Sequence, residues 1–157
     1  MKWHSIWVVW LLLSTGVSSC GASGNQSEDF LRKPMIERRT AILKYAPEDQ
    51  VELFLNAMLV KHPPDLALAD AIASNGQKIV PHLLLRLAEE NRDVAKMHII
   101  DVFRRMQELG YYSVVDDAQT MKTLEEQAMG VRDTHWRKIS INMVARIRKI
   151  GVERNVD

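Results

Sequence analysis

The chain has 157 residues, with 21 lysines and arginines against 20 aspartates and glutamates and a formal net charge of +1. That length suits one domain able to bury a core without staples, and the near-zero charge argues against a general nucleic-acid binder. The lone cysteine, Cys20, leaves no intrachain disulfide to form. In chain order, the first element is an unbroken apolar run, Ile6 to Leu13, preceded by Lys2. Its length matches a signal-peptide core and falls short of the ~20 residues of a membrane-spanning helix.

Small residues then lead to Val17-Ser18-Ser19-Cys20. An aliphatic residue, two small residues and a cysteine resemble the lipobox of bacterial lipoproteins. Val17 stands where Leu is commonest, and Ser18 and Ser19 stand where Ala and Gly are commonest. The resemblance implies removal of residues 1–19, lipid attachment at the Cys20 thiol, and a protein that starts at Cys20 on a membrane. Two other readings of the same residues are a free thiol after a general secretory cut and an amphipathic anchor over 1–19. Gly21, in place of the Asp that commonly retains such proteins at the inner membrane, implies an outer membrane facing the periplasm in a Gram-negative cell. Gly21 to Ser27 is small and polar and reads as a flexible tether. The expected organisation is signal peptide 1–19, lipidated tether 20–30, one α-helical domain over 31–153, and a tail at 154–157.

The body predicts helix after helix. A first helix from Glu28 or Pro34 to Tyr45 carries Phe30, Leu31, Met35, Ile36, Ile42 and Leu43 as its apolar side. Pro47 suits the first turn of a second helix, where its missing N–H is harmless, with Glu48 and Asp49 placed well for the helix dipole. Its stripe is Val51, Leu55, Met58 and Leu59. Lys61 to Asp65 breaks the chain. A short helix from Asp65 to Ser74 ends at Asn75-Gly76, residues that tolerate a left-handed cap. The next helix, Gln77 to Glu90, has Pro81 early, as a kink or as its true first turn. Asp93 is the expected N-cap of a helix reaching Gly110. Ser113 is the expected cap, with Asp116 as a loose capping-box partner, of a helix reaching Met129. Asp133 or Thr134 caps the last helix, with Trp136, Ile139, Met143, Ile147 and Ile150 as its buried line and Gly151 as its end. The fold class is therefore all-α, about seven helices, as a HEAT-like right-handed stack or an irregular helical bundle. The even spacing of helix starts favours stacked pairs.

Residues Ile79 to Leu109 resemble a HEAT-type repeat. Pro81, Leu84 and Leu87 match its first helix, and Asp93 and Val94 match the turn and the residue packed beneath it. The basic residue usual after that valine is displaced, with Ala95 in its place and Lys96 next. Met129-Gly130-Val131-Arg132 echoes the turn. The resemblance implies a protein-binding scaffold and no catalytic residues.

Few residues of the chain are arranged for chemistry. The histidines of the body form no His-x-x-x-His pattern, and there is no P-loop or dinucleotide glycine run. His98 and Asp101 could form a base and its orienter, and the plain alternative is a satisfied core histidine. Glu89-Glu90, Asp116-Asp117 and Glu125-Glu126 are adjacent pairs, and neighbours on a helix point about 100° apart, which suits paired acid/base work poorly. No metal site, cofactor or catalytic residue is assigned. Two features suit partner binding. Tyr111 and Tyr112 follow Gly110 in a loop, bringing large area at small entropic cost. Residues 131–157 carry seven basic side chains against three acidic ones, and Arg137, Lys138, Arg148 and Lys149 are expected on the outer face of the last helix, with Arg146 at its border. The favoured function is a lipid-anchored cell-envelope protein that binds a macromolecular partner, as scaffold or as steric inhibitor or immunity protein. The alternatives are an envelope hydrolase acting on cell wall or lipid and a carrier of an apolar ligand.

Overall fold

A computed structural model describes residues 24–154 as eight α-helices, with no strand among the described residues. They are α1 (Gly24–Arg32), α2 (Met35–Ala41), α3 (Pro47–Val60), α4 (Ala67–Ala73), α5 (Val80–Glu89), α6 (Asp93–Leu109), α7 (Ala118–Met129) and α8 (Thr134–Arg154). The segments expected as signal peptide, Cys20 and residues 155–157 lie outside the described residues. The helices form two layers. The odd-numbered helices pack in the order α1, α3, α5, α7, and the even-numbered ones in the order α2, α4, α6, α8. Each pair from α1–α2 to α7–α8 also packs against itself, so four hairpins stack in sequence. The all-α expectation holds. The most deeply buried helix is α6, which gives Ile99, Ile100, Val102, Phe103 and Met106 to the core.

Proline and glycine mark several boundaries. Pro47 occupies the first turn of α3 and Pro81 that of α5, which follows a 3₁₀ turn over Gly76–Ile79 without a kink. Gly110 ends α6 in the left-handed region, with φ 75°. Of the two starts expected for the helix reaching Tyr45, Pro34 is the one seen: α2 and a 3₁₀ turn over Ile42–Lys44 follow it, and α1 is separate, because Pro34 lacks an N–H and its ring crowds a helical residue before it. The helix begins inside the stretch expected as tether. Phe30 is fully buried there, stacked edge-on to Tyr45, and the Asn56 amide donates to Ser27 Oγ at 3.2 Å.

Caps differ where a side chain serves a neighbouring hairpin. Asp93 makes no bond to its own helix. Its Oδ2 accepts the Asp133 N–H at 2.8 Å, while Arg132 donates to the Asn91 carbonyl at 2.9 Å. The α5–α6 and α7–α8 turns are thus stitched together, and they are the two turns whose sequences echo each other. On the opposite edge, Asn75 donates to Gln50 Oε1 and Gln50 donates to the Tyr45 carbonyl, both at 2.8 Å. Ser113 does not cap α7. A 3₁₀ turn over Val114–Asp116 intervenes, and Asp117 caps by accepting the Thr120 N–H at 3.0 Å. Asp133 caps α8 as expected, accepting the N–H groups of His135 and Trp136.

The buried line of α8 is rotated from the expected one. Ser140, Val144, Ile147 and Gly151 are buried, whereas Trp136, Ile139, Met143 and Ile150 are half-buried. Gly151 does not end the helix, which continues to Arg154. A Cβ at 151 would lie 2.6 Å from Val115 Cγ2, so a bare backbone is what lets α8 close against the Val114–Asp116 turn. Ile147→Ala is expected to cost about 3 kcal/mol, and Ile150→Ala roughly half that. Equal losses in denaturant unfolding would put the helix face back where the apolar residues alone place it.

Candidate partner-binding surface

The loop after α6 is rigidly held. Gln107 is buried at the end of α6, and its Oε1 accepts the N–H of Val114 at 2.7 Å and of Val115 at 3.3 Å. Tyr112 is half-buried against the core, and its hydroxyl donates to Asp117 Oδ2 at 2.5 Å. Burial and the Asp117 charge push that hydroxyl above its ordinary pKa. Asp117 is held at about 2, first by the Thr120 N–H and then by the Tyr112 and Thr120 hydroxyls. The two tyrosines therefore separate. Tyr112 is a structural brace, and Tyr111 remains 48% exposed beside the exposed Leu109.

The basic residues of α8 also separate. Lys138, Arg148 and Lys149 are exposed, but Arg137 is half-buried because it begins the rotated line that continues through Ser140 and Val144. Arg148 pairs with Glu125 of α7, and Lys149 with Glu153 at 3.6 Å. Arg146 reaches across to Glu108 of α6 at 2.6 Å. Burial acts on Glu108 against its ion pairs, and the guanidiniums of Arg146 and Arg104 hold its carboxyl below the usual range. Arg105 continues the chain to Asp70 of α4 at 3.3 Å, so ion pairs cross the layer from α4 through α6 to α8. Arg137 and Arg148 are about 16 Å apart along the axis, from the rise per residue. Arg146, through Glu108, and Gly151, through Val115, bring the C-terminal half of α8 to the end of α6 that carries Tyr111. Arg137 and Lys138 sit at the other end, beside the stitched turns. Arg146 and Lys149 therefore lie at the same end of the fold as the exposed Leu109 and Tyr111. A hollow of about 550 Å³ opens beside it, lined by Val115, Met121, Lys122, Glu125, Arg148 and Val152 among others.

The candidate chemistry is taken up by structure. His98 is buried with its ring edge-on to Phe54, and no hydrogen bond joins it to Asp101, whose carboxylate pairs with Arg104 at 2.6 Å. Burial pushes the imidazole below its ordinary pKa, against the pull of Asp101. Glu89 is exposed, whereas Glu90 is buried and accepts the N–H groups of Asn91 and Arg92. Glu125 and Glu126 turn to Arg148 and Lys122, separate partners. Among the described residues no three His, Cys, Asp or Glu side chains converge as metal ligands, and no helix is long and apolar enough to cross a membrane.

No family model matches the chain, and no curated protein and no solved structure matches it. Gln107 and Glu90, which hold the loop and the turn nearest these surfaces, carry no motif. Their one sequence signal is a polar residue at the end of an apolar helix, close to a turn.

Proposed function

We propose that this chain is a lipid-anchored cell-envelope protein, acylated at Cys20, whose helical stack binds a protein partner and acts by holding or blocking it. The observation that carries the reading is the exposed Leu109 and Tyr111, at the end of the fold that also carries Arg146 and Lys149, on a loop braced by Gln107, Tyr112 and Asp117. A large exposed aromatic on a loop that binding need not order is well suited to anchor an interface. The lipobox-like stretch before the body supports the placement, and the stacked hairpins support the scaffold or steric role.

Capture from detergent-solubilised membranes, with cross-linking through position 111, tests the reading. Tyr111→Ala is expected to weaken capture at least tenfold, the effect of losing a central aromatic anchor. Lys149→Glu is expected to slow association at low salt and to have little effect at high salt, because rim charges act mainly on encounter. Unchanged capture by Tyr111→Ala would remove the surface from the account.

A further inference from the structure

In a stack of helical hairpins the two ends lack a neighbour, and end hairpins normally present a polar outer face. The first hairpin of this stack does not. On α2 and the 3₁₀ turn after it, Ile36 is 69% exposed and Leu43 is 43% exposed. They lie seven residues apart, which is two helical turns, and so share one face. Residues 32–44 carry Arg32, Lys33, Arg38, Arg39 and Lys44 against Glu37 alone. Arg32 pairs with Glu28, and Arg39 with Asp65 at 2.9 Å. Lys33 and Lys44 have no carboxylate partner among the described residues. Arg38 is buried on the opposite side of α2, and its Nε and Nη1 have no hydrogen-bond partner.

The geometry points to this face as the place where the body rests on an anionic phospholipid surface. The inference rests on the acylation of Cys20. Gly24, the start of α1, comes four positions after Cys20, a span of roughly 14 Å at full extension. An anchored chain this short brings the first hairpin to the head groups. An apolar face flanked by unpaired cations is the composition that lies in such an interface, and a basic patch is the usual second signal beside an acyl chain. The last helix, α8, is at the far end of its layer and carries the exposed Ile141.

The test uses the acylated protein reconstituted into vesicles, with a fluorophore on Ile36→Cys or on Ile141→Cys, both exposed sites. The vesicles contain phosphatidylcholine with brominated acyl chains, with or without phosphatidylglycerol. The probe at 36 is expected to be quenched several-fold more than the probe at 141, and only when phosphatidylglycerol is present. Lys33→Ala or Lys44→Ala should each shift the docked fraction about fivefold toward undocked. A second fluorophore on the chain, at Cys20, would show a free thiol and overturn the anchor together with the docking face. One fluorophore and equal quenching at 36 and 141 would overturn the docking face alone. A probe at 36 shielded already in detergent, on a particle of twice the mass, would assign the face to a second copy and overturn it equally.

Discussion

Glu90→Gln is expected to lower stability at pH 7 by about 2–3 kcal/mol, a shift in Tm of roughly 10 °C. The carboxylate is buried at the α5–α6 turn and holds four groups there. It accepts the Asn91 N–H at 2.9 Å and the Arg92 N–H at 2.8 Å, and it pairs with the Arg92 and Arg86 guanidiniums, each at 2.8 Å. The Arg92 side chain contributes most to holding its pKa at about 2 rather than 4.5, working against burial. A carboxyl whose folded pKa is depressed binds fewer protons folded than unfolded. Its stabilisation is therefore complete above pH 4.5 and is lost as pH falls from there toward 2. Asp117, also held at about 2, loses its share over a window that starts lower, at its ordinary 3.8. Denaturant midpoints of the native chain should fall across that range, and the Gln variant should begin lower and fall less steeply. Parallel curves would show that Glu90 is not the group being titrated.

Gly76→Ala is expected to cost at least ~2 kcal/mol and to disturb the Tyr111 loop. Gly76 has φ 58°, a left-handed conformation that costs a residue with a Cβ about 1–2 kcal/mol. A Cβ there would also stand 2.8 Å from the backbone carbonyl oxygen of Tyr111, so two backbones must separate for it to fit. The turn after α4 and the loop after α6 meet here, which makes the variant a test of the surface as well as of the fold. Partner capture should weaken along with stability. Full stability in the alanine variant would contradict the close approach.

Helix existence was readable from the sequence, and helix orientation was less so. Pro47, Pro81 and Gly110 act through their own backbones, so their effect is local and survives without knowledge of neighbours. Asp93 and Ser113 look like caps by the same local rule, yet Asp93 bonds the next hairpin and Ser113 is displaced by a 3₁₀ turn. The α8 face was misplaced for a related reason. Ser140 and Gly151 carry almost no hydrophobic signal, but small residues are what permit close packing against a neighbour. Tyr111 and Tyr112 were indistinguishable as a pair until Asp117 and the core took one of them. The ion pairs from Asp70 through Arg105 and Glu108 to Arg146 join residues of three helices, and no spacing rule along one chain could assemble them.

Both the placement at a membrane and the docking face follow from the chemistry of Cys20. The decisive measurement is the intact mass of the protein taken from its native membranes, with fragmentation of the N-terminal peptide. The expected result is a chain that begins at Cys20 and carries a diacylglycerol on the thiol, and Cys20→Ser should abolish both the cut and the added mass. A chain that retains Met1, or one that begins at Cys20 with a free thiol, would contradict the account.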